Sequence, residues 1–460
     1  MSSKKSRVSV HSKLTVVPSK PSGSVKFNPF SSLDHAMGLH SLHMVFYYKK
    51  NPFGSFELDP LRESLSGVIS MYPKVTGRLT RLENGNWAVK CHDAGVRVMR
   101  AKVSATLDEW LRSADGSEER DLTVWEDMPQ EPNTWSPFRV QINDFEGGGV
   151  AIGLSCSHML ADLTSATLLF KSWAEVSRRE PIEHPPFFNS LALHGQLVPN
   201  KHIQLGKYYA TKSEEQFQAS VKMATATFKF SNSVIKQCLY EVNENCPNAT
   251  PFELLAGLFW SGITRLKGPK SYNTHSLSIC IDSRKLLQDP LPIGYFGNAL
   301  HFSQLSLKGE EIGHCELGHV VELVHNRVLG IKEEEFWAVM NWFEAQKGEG
   351  GKFAPPFRMY GPELTCISLE HMLVPSKVAG STNMTSLIYA ATFDKDEKPV
   401  HVSGHVGNVE GEGLIVVMPS MEEGLARTVL VTLPEKELAE LCEDQAILRL
   451  GPTMLLSGKR

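Results

Sequence analysis

No apolar stretch of this chain of 460 residues is free of charge over the roughly 18 residues that a membrane span requires. There is also no apolar signal region near the start, so secretion is not expected. The net charge is −4 and no basic stripe stands out, which argues against a general nucleic-acid binder. Walker and dinucleotide-binding glycine loops are missing as well. A cytoplasmic globular protein is therefore predicted.

Metal and disulfide chemistry have little support in the sequence. The eight cysteines are scattered without a C-x-x-C pair, which is typical of reduced thiols in the cytosol. His314, His319 and His325 lie in a stretch of alternating charged and apolar residues that favours a helix face over a set of metal ligands. His401 and His405 would share one face of a strand, but no third ligand stands at a convincing spacing. No metal site is predicted.

The length is too great for one ordinary core and indicates more than one domain. Between residues 181 and 222 the periodicity dissolves around Pro181, Pro185, Pro186 and Pro199, which is typical of a crossover linker. The prediction is a domain over 1–180, a linker over 181–222 and a domain over 223–460. A monomer is expected.

Local patterns predict individual elements. Thr250, Pro251 and Glu253 form the N-terminal signature of a helix, a capping box with proline at the first helical position. The other expected elements are strands over 8–17 and 223–230, helices over 56–71, 101–112 and 435–444, and a hairpin over 78–91 that turns at Asn84-Gly85-Asn86.

The stretch Val150-Ala-Ile-Gly-Leu-Ser-Cys-Ser-His158-Met-Leu-Ala-Asp162 is the most informative part of the chain. Turn glycines precede its apolar run and apolar residues at helical spacing follow it, so it predicts a strand, a turn that bears His158, and a helix. Such a turn offers an imidazole to a substrate. Two simpler interpretations stay open: His158 as a core histidine with a local hydrogen bond, and Asp162 as the cap of the helix.

Further motifs accompany this turn in a characteristic order. They are Phe30-Ser-Ser-Leu-Asp34, Asp282-Ser-Arg284, Gly294-Tyr-Phe-Gly-Asn298 and Gly413-Leu-Ile-Val-Val-Met-Pro419. Together with the His158 turn they resemble the plant BAHD acyltransferases over nearly the whole chain. The resemblance implies an α/β fold of two chloramphenicol-acetyltransferase-like domains, with mixed, largely antiparallel sheets and flanking helices. It also implies acyl-CoA as co-substrate, a small-molecule acceptor and no bound cofactor.

The resemblance assigns roles to four residues. His158 would be the general base, because a neutral imidazole can take the acceptor's proton at cytosolic pH. It would line a solvent-reachable channel between the domains. Asp162 would pair with Arg284 and brace the turn, and Thr365, in the place of the family's T-S-W threonine, would be a donor to the oxyanion.

One departure favours a second function. The place of the family's D-F-G-W-G signature reads Phe393-Asp-Lys-Asp-Glu-Lys398-Pro399, so only Asp394, Lys398 and Pro399 can be matched to it. Similar erosion occurs in the Eceriferum and Glossy branch, whose members are thought to help a condensing enzyme extend very-long-chain fatty acyl groups. The alternative is therefore a non-catalytic partner of the fatty-acid elongase in wax synthesis, at the cytosolic face of the endoplasmic reticulum.

Overall fold

The structure, a computed structural model, describes residues 6–53, 58–189, 203–213, 221–267, 274–308, 312, 315–375, 385–394, 397–422 and 424–458. Its strands are β1 Val8–Val16, β2 Lys26–Pro29, β3 Ser41–Tyr48, β4 Arg78–Arg81, β5 Trp87–Cys91, β6 Val96–Thr106, β7 Phe138–Glu146, β8 Val150–Ser157, β9 Met223–Phe230, β10 Thr274–Asp282, β11 Leu300–Lys308, β12 Leu364–Ser368, β13 Leu373–Pro375, β14 Thr385–Leu387, β15 His401–Val406, β16 Leu414–Pro419, β17 Arg427–Pro434 and β18 Thr453–Leu455.

The helices lie against these strands and between them. They are α1 Ser32–Ala36, α2 Leu58–Ile69, α3 Pro73–Thr76, α4 Leu107–Ser113, α5 Gly116–Arg120, α6 Leu163–Ser177, α7 Ile203–Thr211, α8 Asn232–Glu241, α9 Pro251–Leu266, α10 Leu317–Gly330, α11 Glu333–Ala345, α12 Glu435–Leu441 and α13 Gln445–Leu448. Among the described helices, none has the length and apolar character that crossing a bilayer requires.

Two large sheets organise the molecule. The first has the strand order β1-β6-β7-β8-β3-β15 and the second has β11-β10-β12-β16-β17-β9-β18. Parallel pairing occurs between β6 and β7 in the first sheet, and along β10-β12-β16 in the second. The other neighbours in both sheets run antiparallel. The predicted fold class, mixed and largely antiparallel sheets with flanking helices, is confirmed.

The second sheet presents a different core on each face. Leu364 and Cys366 of β12 pack into an apolar cluster with α9 and α10. Ile367 belongs to the larger cluster that also holds the core of the first half. Because side chains alternate along a strand, Thr365 shares the face of Ile367 and is directed toward the first half of the molecule.

Several predicted elements are present with shifted bounds, and one is wrong. The strand over 8–17, the hairpin at Gly85 and the capping box of Thr250 are confirmed. The predicted helix over 101–112 is a strand as far as Thr106 and becomes helical only at Leu107. Alternate residues of this segment are buried, and the strand pairs with both β1 and β7, so sheet pairing overrides its local helical propensity.

The chain returns from its last third to complete the first sheet. Strand β15, His401–Val406, pairs with β3 in register from His401 against Tyr47 to Val406 against Leu42. The remaining strands of that sheet all precede residue 180. The two halves are therefore joined by a strand as well as by the crossover between them, and the domain boundaries over 181–222 stay a prediction.

Candidate active site

The sequence from Val150 to Ser177 folds as the predicted strand, turn and helix. Strand β8 is buried along its whole length between β3 and β7. The chain turns directly after it, where the amide of His158 donates to the carbonyl of His40 (3.0 Å) and that of Leu160 to Ser157 (3.0 Å). The helix α6 then starts at Leu163. This order places His158 at the end of a central strand.

Asp162 both caps the helix and pairs with Arg284. Its Oδ1 accepts from the amide of Ser165 at 2.7 Å, which fixes the first turn of α6. The guanidinium of Arg284 donates to both carboxylate oxygens, at 2.9 and 3.0 Å. The amide of Ala299 donates to Oδ2 at 3.0 Å. The two interpretations of Asp162 thus hold at once, and the aspartate joins the halves of the protein.

Further contacts surround the guanidinium of Arg284. It also donates to the carboxylate of Asp282, to Ser165 Oγ (3.0 Å) and to the carbonyl of Tyr295 (3.0 Å). Burial lowers the pKa of Arg284, but the carboxylates of Asp162 and Asp282 outweigh burial and leave that pKa raised. Burial acts in the opposite sense on Asp282, where the charge of Arg284 leaves the carboxyl pKa lowered. Arg284 therefore stays charged inside the protein.

A second polar link holds the backbone of the histidine itself. The side-chain amide of Asn298 donates to the carbonyl of His158 and to Oδ1 of Asp34, each at 2.8 Å. Asp34 also caps its own short helix with Ser31. In the sequence, the motifs around Asp34 and Asn298 contributed only to the family resemblance. Their contact with the His158 turn was not predicted. Side-chain pairing across 264 residues leaves no local pattern in a sequence.

The imidazole of His158 is closed off in this structure. It is 1% exposed, and its Nε2 lies 2.8 Å from the hydroxyl of Tyr360. Burial lowers the pKa of His158, against the opposing effects of its own carbonyl and of Asp162. The expectation of a solvent-reachable ring is not met, because the phenol of Tyr360 covers the nitrogen that would face a substrate. Sequence reasoning gave Tyr360 no role.

Thr365 lies on β12 with its side chain fully buried. Among the described residues its hydroxyl has no hydrogen-bond partner. A buried hydroxyl without a partner costs free energy, so its retention needs a reason. Its strand face is the one directed toward the first half of the molecule, where His158 also lies. Its role as an oxyanion donor stays a prediction.

Comparison with known proteins gives the family. The sequence profile of the Transferase family matches residues 6–448. The chain belongs to that family, and the predicted resemblance to BAHD acyltransferases is confirmed. Its relatives include Protein ECERIFERUM 2 of Arabidopsis thaliana, 25% identical over 94% of this chain and 96% of that protein. They also include the Fatty alcohol:caffeoyl-CoA acyltransferase of the same plant, 25% identical over 88% of this chain and 90% of that one.

A solved structure shows the same architecture. The crystal structure of vinorine synthase superposes with a TM-score of 0.71, at 19% identity, over 95% of this chain and 98% of that one. At this identity the likeness establishes the fold alone. Relatives with an ECERIFERUM name and relatives named as acyltransferases are equally similar in sequence, so the comparisons do not choose between the two predicted functions.

In this transferase the eroded signature segment serves packing. Phe393 is buried against Phe170 and Trp173 of α6, with ring centroids 5.4 and 5.0 Å apart. Asp394 and Lys398 are exposed and Pro399 is buried. Phe393 therefore packs against α6, the helix that follows the His158 turn.

Histidines of both sequence clusters contact other polar side chains. His405 Nε2 lies 2.8 Å from Glu119 Oε2, and His401 Nε2 lies 3.0 Å from Ser403 Oγ. His325 contacts Glu253, and His314 lies outside the described residues. In the part of the chain that the structure describes, no group of three His, Cys, Asp or Glu side chains is arranged to hold a metal ion.

Proposed function

We propose that this transferase moves an acyl group from a coenzyme A thioester to a hydroxyl or amine of a small molecule, with His158 as general base. The observation that carries the proposal is the buried ion pair of Asp162 with Arg284, which fixes the turn on which His158 stands. Both carboxylate oxygens of Asp162 are occupied by donors from Arg284, Ser165 and Ala299. Asp162 is thus a bracing residue and leaves proton transfer to the imidazole.

The reaction needs one base and no protein nucleophile, since a thioester is already activated. The acceptor oxygen or nitrogen attacks the thioester carbonyl while its proton passes to Nε2 of His158. The tetrahedral intermediate then expels the thiolate of coenzyme A, which takes the proton back from Nε2. The buried hydroxyl of Thr365 is our candidate donor to the oxyanion, because its partner position is open among the described residues. Acyl-CoA is a co-substrate, and no resident cofactor is required.

The setting of the protein belongs to the same proposal. A transferase that uses acyl-CoA and a small acceptor can act as a monomer in the cytoplasm. Its cysteines are scattered along the chain, and no disulfide joins the described ones, which fits a reducing compartment.

The test measures free thiol release by the purified protein against a panel of acyl-CoAs, with and without alcohols and amines. Replacing His158 by alanine should lower turnover by about 10²–10⁴-fold, because the proton acceptor is removed. His319→Ala is the matched control, since His319 lies on an exposed helix surface. Turnover by His158→Ala equal to that of the control would overturn the role of His158.

A second candidate, a non-catalytic partner of the fatty-acid elongase, is favoured by one specific observation. The hydroxyl of Tyr360 occupies Nε2 of His158, and both rings are buried. A non-catalytic partner of the elongase would require this fold, but it would not require an accessible imidazole at His158. Its contribution would come through a contact with a condensing enzyme at the endoplasmic reticulum, so surface changes would matter more than His158.

One variant separates the two candidates. His158→Ala should lower soluble acyl transfer by about 10²–10⁴-fold if the first is right. It should leave the chain length of fatty acyl products unchanged in cells that depend on this protein if the second is right. Both readouts are made on the same variant, so a result in either direction selects one function.

A further inference from the structure

The hydroxyl of Tyr360 takes the position on His158 that an acceptor hydroxyl would take. The phenol oxygen lies 2.8 Å from Nε2, and the two rings are inclined by 27° with centroids 5.7 Å apart. Burial raises the pKa of Tyr360 well above its ordinary value and lowers the pKa of His158. The phenol is therefore protonated and the imidazole neutral. In the tautomer that a general base requires, with the ring proton on Nδ1 and the lone pair on Nε2, the phenol is the donor to Nε2.

A fully buried lysine fixes the backbone on both sides of Tyr360. The ammonium of Lys212 donates to the carbonyl of Met359 (3.1 Å), to that of Gly361 (2.9 Å) and to Oε1 of Glu363 (2.6 Å). An ammonium has three donors, and all three are used. The side chain of Lys212 is 0% exposed, and it lies just after helix α7 in the crossover between the two halves.

A third contact comes from the first half of the chain. The amide of Met359 donates to Nε2 of His40 at 3.1 Å, and Nδ1 of His40 lies 3.1 Å from the carbonyl of Gly407. The ring of His40 meets that of Tyr360 edge to face at 4.9 Å. The backbone on either side of Tyr360 is thus held by polar contacts from two other parts of the chain, Lys212 in the crossover and His40 in the first half.

We infer that Tyr360 is a specificity-determining residue of this site, which an acceptor must displace from His158 Nε2, and that Lys212 and Glu363 are positioning residues that hold it there. The inference rests on the proposed role of His158 as base. Nε2 of the neutral ring has a single lone pair, so it cannot accept from the phenol and from a substrate at the same time. An acceptor can therefore reach Nε2 only if its binding free energy compensates for the lost hydrogen bond between Tyr360 and His158 and for the displacement of the Tyr360 ring.

The first experiment reports on access to His158 without requiring any catalysis. The protein is treated with diethyl pyrocarbonate, and modification of each histidine is followed by mass spectrometry of peptides. Wild-type His158 should react slowly. Tyr360→Ala and the double variant Lys212→Met with Glu363→Gln should react at least about 10-fold faster at His158, because the covering group is removed or released from its tether. A loss of Lys212 that was merely structural would raise the reactivity of histidines throughout the protein.

The second experiment uses Tyr360→Phe, which keeps the ring and removes the hydroxyl. The value of kcat/KM for a small alcohol should rise by roughly 2- to 10-fold, the range expected when one competing hydrogen bond is lost. The matched control is Tyr72→Phe, which removes a buried hydroxyl bonded to Ser172 at 2.9 Å, and it should leave kcat/KM unchanged. A fall of 10-fold or more in Tyr360→Phe would make the hydroxyl part of the chemistry and overturn the inference.

The two experiments keep this inference distinct from the proposed function. If His158 becomes reactive in the Tyr360 variants while no acyl transfer is found in any form, the covering role stands and the transfer proposal fails. If transfer depends on His158 but neither labelling nor kcat/KM responds to Tyr360, the transfer proposal stands and the covering role is overturned.

Discussion

At the scale of single residues, the site depends on buried charged groups and amides that are hydrogen-bonded to other protein groups instead of to water. Asp162 is 0% exposed and Arg284 is 2% exposed, so their mutual attraction must offset the desolvation of both groups. The motif spacing could suggest Asp162 as a helix cap, and only the family resemblance suggested Arg284 as its partner. Tyr360 and Lys212 could not be anticipated, because their roles arise from contacts across 202 and about 150 residues of chain.

Replacing Asp162 by asparagine tests the bracing role. The amide can still cap α6, but Arg284 loses a formal charge partner and is left with Asp282 alone. We expect a loss of about 3 kcal/mol in the free energy of unfolding, at the low end of the range for a broken buried pair. The measurement is urea unfolding followed by circular dichroism.

The matched control removes the whole buried charge group, with Asp162→Leu, Arg284→Met and Asp282→Asn in one chain. It should be more stable than a chain with Asp162→Leu alone, because neither a guanidinium short of one carboxylate nor an unpaired carboxylate remains buried. A loss below about 1 kcal/mol in Asp162→Asn would contradict the bracing role, since that is the size of an ordinary hydrogen bond.

At the scale of elements, local patterns were sufficient where turn or capping residues bound an apolar segment. The strand and helix around His158 follow from such a pattern, and so does the capping box of Thr250. The prediction of a helix over 101–106 was wrong, because the secondary structure of this segment depends on pairing with two strands that lie far away in the sequence. Gly294, in the motif that ends at Asn298, lies directly against the crossover segment at Pro185.

Gly294→Ala tests that close approach. A methyl group at Gly294 would lie 2.0 Å from the carbonyl oxygen of Pro185, which is backbone and cannot turn aside. The amide of Phe187 also donates to the carbonyl of Gly294 at 2.9 Å, so the two segments cannot separate without losing this bond. We expect the free energy of unfolding to fall by about 1–3 kcal/mol, as for overpacking in a core.

The control for this prediction is Gly404→Ala in β15, where the nearest atom to an added methyl group is Leu163 Cδ2 at 3.8 Å. That variant should unfold within about 0.5 kcal/mol of the wild type, apart from the general effect of losing a glycine. If Gly294→Ala and Gly404→Ala are equally stable in urea, the crossover segment can move to make room for the methyl group. The contact at Pro185 would then not constrain the backbone at Gly294.

At the scale of the whole molecule, the two halves share a sheet and are also joined by side-chain contacts around His158. Strand β15 lies on the edge of the first sheet, and Asp162, Asn298 and Tyr360 join the His158 turn to the second half. The family resemblance could predict two similar domains around one site. The return of β15 could not be predicted, since its six residues, all buried, carry no alternating pattern that would assign them to one sheet.

This shared sheet predicts how the protein behaves when it is cut between residues 189 and 203. The first fragment alone would expose β3, whose residues from Leu42 to Tyr48 are all buried in the intact chain, so it should aggregate or stay unfolded. Co-expressed with the second fragment, it should form a soluble complex that co-purifies on a tag, because β15 restores the missing edge. Ser403→Pro in the second fragment removes an amide of β15 and should reduce recovery of the complex strongly, whereas Gly404→Ala should not. A soluble, folded first fragment on its own would show that β15 is dispensable and that the first half is an independent domain.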